Sequence, residues 1–102
     1  MSISTVDIRI LRYLRSKITP RSVYNIVKGT KYETPSGIKE ISYETIKTHC
    51  EELLRNHLIY RLTNNNPKKR PRVKYGYDQT KTPVILKLIK QQQLNTSQNP
   101  NS

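Results

Sequence analysis

A chain of 102 residues is long enough for one folded domain and too short for two ordinary ones, so its elements are expected to share one core. Nineteen Lys and Arg against seven Asp and Glu leave a net charge of +12, which points to a polyanionic counterpart: nucleic acid first, with an acidic membrane surface, an acidic protein, or a soluble basic protein with no specific polyanion as alternatives. A single cysteine, Cys50, excludes an internal disulfide, and with only His49 and His57 near it no zinc-ligand spacing exists, so neither a metal nor a cofactor is expected.

There is no Phe or Trp, so the core must be built from Ile, Leu, Val and some of the seven Tyr. Ser4 or Thr5 can cap a first helix reaching about Lys17, with Val6, Ile10, Leu11 and Leu14 at helical spacing and Asp7 well placed in the first turn. Arg9, Arg12 and Arg15 recur on a second face, which can either touch phosphate or lie solvated. Arginine at this interval interrupts the apolar run that a signal peptide or membrane span requires, so neither is expected. Ile18 is read as a very short extended segment. Thr19-Pro20 then resembles a cap followed by a first-turn proline, predicting a second helix over 20–28 that Gly29 stops. Between Asp7 and Glu33 there is no acid, so this half of the domain is a positive surface.

Residues 29–40 contain Thr34-Pro35-Ser36-Gly37 and read as a long loop. Ser42 caps the best-defined helix, 43–56, whose Ile46, Cys50, Leu53 and Leu54 share one side. Cys50 lies in that stripe as a small hydrophobe, without a base beside it to make it a nucleophile. Residues 58–63 and 73–79 alternate in strand fashion around Asn64-Asn65-Asn66-Pro67, predicting a hairpin with a long basic tip. Thr82-Pro83 repeats the cap-and-proline device before an apolar fourth helix over 81–94. That helix either packs on the first helix or pairs with its own copy, making a homodimer through Val84, Ile85, Leu88 and Ile89. Residues 95–102 are polar and expected to be disordered.

Paired carboxylates in a pocket, a nucleophile beside a base, a glycine-rich phosphate loop and a metal cluster are all lacking, so the chain is not expected to be an enzyme. The order helix, short strand, helix, helix, strand, basic loop, strand, together with the stretch Ile41-Ser-Tyr-Glu-Thr-Ile-Lys-Thr-His-Cys-Glu-Glu-Leu-Leu-Arg-Asn-His-Leu-Ile-Tyr-Arg, resembles the winged helix-turn-helix DNA-binding superfamily. In that family a capped helix with paired leucines runs into a Gly-Leu-Ile turn. Here His57 replaces the glycine, so the left-handed residue must be Asn56 or His57.

The resemblance implies an α+β winged helix over 1–80: a three-helix core and a two-stranded wing, to which this chain adds a C-terminal helix. It implies sequence-specific binding to double-stranded DNA and transcription regulation. The 43–56 helix would enter the major groove and the basic wing, 64–74, would lie on the backbone or in the minor groove. At about 100° per residue, the face opposite Ile46 and Leu53 carries Glu44, Thr45, Thr48, Glu52 and Arg55, with Tyr43, Lys47 and His49 flanking it. Thr45 and Thr48 suit base edges, Lys47 and Arg55 suit phosphate or guanine, and Tyr43 suits phosphate; Glu44 and Glu51 fit poorly. In the wing Lys68, Lys69, Arg70, Arg72 and Lys74 imply about five phosphate contacts and a salt slope of about −4.5. The alternatives are a winged-helix protein-protein module and a non-specific DNA- or RNA-binding protein. Composition also resembles small regulators of archaeal viruses and plasmids, implying a cytoplasmic protein, in the host cytoplasm if virus-encoded.

Overall fold

Ser4 exchanges two hydrogen bonds with Asp7 at the start of the first helix. The Asp7 N–H donates to Ser4 Oγ (3.2 Å) and the Ser4 N–H donates to Asp7 Oδ2 (2.9 Å). This reciprocal cap satisfies two of the donors that a helix start leaves unpaired. It opens α1 (Thr5–Arg15), whose Ile8, Ile10, Leu11 and Leu14 are buried. Ile3 and Ile8, at the two staple positions around the cap, both join the core. The computed structural model describes residues 3–17, 19–64, 68 and 72–97. The extended segment expected at Ile18 lies outside the described residues.

A two-residue strand, β1 (Arg21–Ser22), precedes α2 (Val23–Gly29). The second helix therefore starts three residues later than the Thr19-Pro20 signal implies. The reason is non-local: Arg21 and Ser22 are paired with Tyr75 and Lys74, so the helix cannot begin before Ser22, whose Oγ accepts from the Asn25 N–H. Val23, Ile26 and Val27 are buried as expected. Gly29 is the last helical residue and not the residue beyond the end. A Cβ there would fall 1.9 Å from the Tyr13 ring, so what demands glycine is the close approach of α2 to α1.

The loop expected over 29–40 is a second hairpin, β2 (Tyr32–Thr34) with β3 (Gly37–Lys39), closed by Pro35-Ser36. The Thr34 hydroxyl donates to the Gly37 carbonyl (2.8 Å), and Gly37 takes φ +123°, a conformation side chains resist. The Arg9 guanidinium stacks 4.6 Å above the Tyr32 ring and Lys31 pairs with Glu40, tying the hairpin to α1 and closing its base.

Ser42 caps α3 (Tyr43–Arg55) by accepting from the Thr45 N–H, and Ile46, Cys50 and Leu53 are buried. The helix ends with the Leu58 N–H donating to the Leu53 carbonyl and the His57 N–H to the Leu54 carbonyl, each at 3.0 Å. This double closure needs a left-handed residue at its centre, and His57 supplies it at φ +61°. Relieving that residue of its Cβ is expected to stabilise: His57→Gly should add about 1 kcal/mol in chemical denaturation, and β-branched His57→Val should lose at least as much.

The chain then forms β4 (Ile59–Asn64) and β5 (Arg72–Tyr77), paired antiparallel from Ile59↔Tyr77 to Asn64↔Arg72. The sheet order is β1-β5-β4, so β5 is central. Arg21, Tyr75 and Arg61 are cross-strand partners in one row, with Tyr75 buried against the helices.

A 3-10 turn (Gln79–Lys81), capped by Asp78, leads into α4 (Thr82–Ser97). The fourth helix continues through Asn95–Ser97, three residues into the tail expected to be disordered; residues 98–102 lie outside the described residues. Ile85 and Leu88 are buried in the chain's own core and Ile89 packs against it. Of the four side chains expected to form a dimer, two are therefore spent internally, and Val84, Leu86 and Leu94 remain exposed. At about 100° per residue these three spread over about 160° of α4 on the half turned away from the core, wider than the narrow stripe that helix pairing uses. Among the described residues the protein is α+β, with four helices and two small antiparallel sheets, and no helix is long and apolar enough to cross a membrane.

Candidate nucleic-acid interface

An open groove runs where the start of α2, the outward face of α3 and β5 meet. Ser22 caps α2 with its first turn beside this groove, so Tyr24 and Asn25 line one wall. Tyr43 and Lys47, one turn apart on α3, form the second wall, and Arg72 and Lys74 on β5 form the third. All four of these α3 and β5 side chains are exposed. Sequence spacing assigned Tyr43 and Lys47 to one element and Arg72 and Lys74 to another; the fold brings them to one surface.

The other expected contacts fall elsewhere. Thr48 and Arg55 are exposed on α3 outside the groove, and Thr45 is half-buried, its N–H held by Ser42 Oγ and its own Oγ accepting from the Ser42 hydroxyl (2.8 Å). Lys68 is exposed at the hairpin turn. Lys69 and Arg70 lie outside the described residues, as do Asn65, Asn66, Pro67 and Pro71 of the expected tip.

His49, counted from the sequence as flanking the exposed face, turns instead toward α1. Its Nδ1 lies 2.7 Å from Asp7 Oδ1, and the Ser4 hydroxyl is 3.5 Å away. The imidazole thus binds the carboxylate that caps α1 and is taken out of any surface role.

Glu51 also lines the groove, and its partners explain an acid on this helix. The Tyr75 hydroxyl donates to Oε1 at 2.5 Å, and Arg61 Nη1 lies 3.7 Å from Oε2. Burial, reinforced by the neighbouring carboxylate, holds the Tyr75 phenol far above the usual tyrosine range, so it stays a proton donor. Glu51 therefore joins α3 to both β4 and β5 and fixes the helix relative to the hairpin. Tyr24, Asn25 and this role of Glu51 were not legible in the sequence. Placing the α2 cap at Ser22 would have revealed the first two.

Cys50 is fully buried beside Glu51, and burial pushes its thiol up to about 12, with the Glu51 and Asp7 charges adding to the effect. The thiol stays protonated at any working pH, and the thiolate is the reactive form. The folded protein is expected to resist iodoacetamide at pH 8 and to be alkylated only in denaturant, which mass spectrometry reads directly. Among the described residues no three His, Cys, Asp or Glu side chains are grouped as metal ligands would be.

No protein-family model and no curated protein matches this chain.

Proposed function

We propose that the chain is a winged helix-turn-helix protein that binds double-stranded DNA sequence-specifically and acts as a transcription regulator. The observation carrying this reading is the groove in which Lys47 of α3 and Arg72 and Lys74 of β5 converge, with the Tyr24 and Tyr43 hydroxyls and Asn25 as further hydrogen-bonding groups. Cations on two elements lining one groove, together with polar neutral groups, suit a phosphodiester strand passing between helix and hairpin. The order of elements, with β5 central between β1 and β4, supports the winged-helix layout. In this reading α3 enters the major groove, and Thr48 and Arg55, exposed beyond the phosphate contacts, meet base edges.

The acids of α3 count less against DNA than the sequence suggests, since Arg61 offsets part of the Glu51 charge and the Tyr75 hydroxyl holds its carboxylate toward the hairpin. Glu44 lies in the first turn, where a negative charge favours the helix. Fluorescence anisotropy with a labelled random-sequence duplex tests the reading. Affinity is expected to fall with salt at a log-log slope of about −4.5 or steeper, and duplex DNA is expected to outcompete duplex RNA of equal length. No binding at low salt would end the DNA reading.

A further inference from the structure

A second groove lies between α1 and α4 and shares no residue with the first. Its floor is apolar: Leu11 and Ile85 are buried, Ile89 is half-buried, and Leu86 stands 49 % exposed on the α4 side. Over it sit Arg12 and Arg15, both exposed and one turn apart on α1. Neither has a carboxylate within ion-pair distance among the described residues. The acids with named partners are engaged elsewhere: Asp7 with His49, Glu40 with Lys31, Glu51 with Tyr75 and Arg61, and Asp78 with Thr80. The three-residue spacing of arginines, which the DNA reading does not use, thus divides in space. Arg9 is spent on Tyr32, and Arg12 and Arg15 edge the groove.

An apolar floor beneath two guanidiniums that have no carboxylate partner among the described residues selects a ligand that brings apolar side chains and carboxylates together. A phosphate backbone offers charge without the apolar part. A second copy of the chain would bring Arg12 and Arg15 of both protomers into one contact and supply no acid from this face, between molecules of net charge +12. The chain's own residues 98–102 contain neither an acid nor a large apolar side chain. We infer that the α1–α4 groove docks an acidic amphipathic helix of a partner protein, its leucine-type residues on Leu86 and Ile89 and its carboxylates on Arg12 and Arg15. The chain then carries a protein-binding face that duplex in the first groove leaves open.

The test uses the full chain, 15N-labelled, titrated with a synthetic Glu- and Leu-based helical peptide whose leucines follow i, i+3, i+4, i+7 spacing. A control peptide has the same composition in scrambled order. The patterned peptide is expected to shift the amide signals of Leu11, Ile85, Leu86 and Ile89 and to bind about tenfold or more tightly than the scrambled one. The same shifts are expected when duplex DNA is already bound. Arg12→Gln with Arg15→Gln, and separately Leu86→Lys, are each expected to weaken the patterned peptide about tenfold while leaving duplex affinity within about threefold. Equal binding of the scrambled peptide would mean generic charge attraction and would overturn the inference. So would shifts confined to the first groove, or sedimentation showing a dimer that Leu86→Lys disperses. Failure of duplex binding with the peptide result intact would remove the DNA reading and leave this one standing.

Discussion

Replacing Lys47, Arg72 and Lys74 together by Ala is expected to weaken duplex binding on the order of hundredfold near physiological salt, on every sequence tried. Each cation is exposed and screened, so about 1 kcal/mol apiece is the proper scale, and three such losses give roughly that factor. The sharper signature is the salt dependence. Each lost phosphate contact removes about 0.9 from the slope, so the triple variant is expected to be shallower by about 2.7. The fold should survive, because none of the three contributes to the core. An unchanged slope at unchanged melting temperature would mean that the groove does not meet phosphate. Removing charge of the opposite sign from the same groove supplies the complementary arm. Glu51→Gln keeps an acceptor for the Tyr75 hydroxyl while deleting the negative charge, and is expected to tighten non-specific binding about threefold.

The largest stability effect is expected at Asp7 and His49. Asp7 lies in the core wall, its side chain 9 % exposed, and its two oxygens accept from the Ser4 N–H and from the His49 imidazole. Truncating one partner of such a pair leaves the other desolvated without a full set of bonds, at a cost of about 3 kcal/mol for well-buried ions. The His49 side chain is 23 % exposed, so water can replace part of what it loses, and His49→Ala is expected to cost nearer 2 kcal/mol. Asp7→Ala is expected to cost more, about 3 kcal/mol, because the Ser4 N–H loses its acceptor in the α1 cap as well. The double variant should come close to Asp7→Ala alone, giving a coupling of at least about 1 kcal/mol in a double-mutant cycle by urea denaturation. Strict additivity would show that this bond does not hold α1 against α3.

What was legible in the chain follows from where each signal resides. α1, α3 and α4 announce themselves through local chemistry: Ser4 with Asp7, Ser42 with Thr45, and apolar residues at helical spacing. The His57 turn was readable for the same reason, since replacing a left-handed glycine leaves few candidates. The start of α2 was not, because Thr19-Pro20 imitates a cap while the real boundary is set by β1 pairing with β5, some fifty residues away. The β2–β3 hairpin escaped because its strands are three residues each and largely exposed, so no apolar alternation marks them. In the candidate interface, Tyr43, Lys47, Arg72 and Lys74 were named from residue type and position. Glu51 looked misplaced because the hydroxyl and guanidinium that receive it lie on strands the helix meets only after folding.

The small hairpin also makes a handle for engineering. Pro35 and Ser36 at its tip are exposed, and space beside Gly37 is empty to 4 Å. A fluorophore or an epitope spliced between Pro35 and Ser36 would leave the core untouched. It would sit a short strand away from the cap of α3, where it could report on whatever that helix meets.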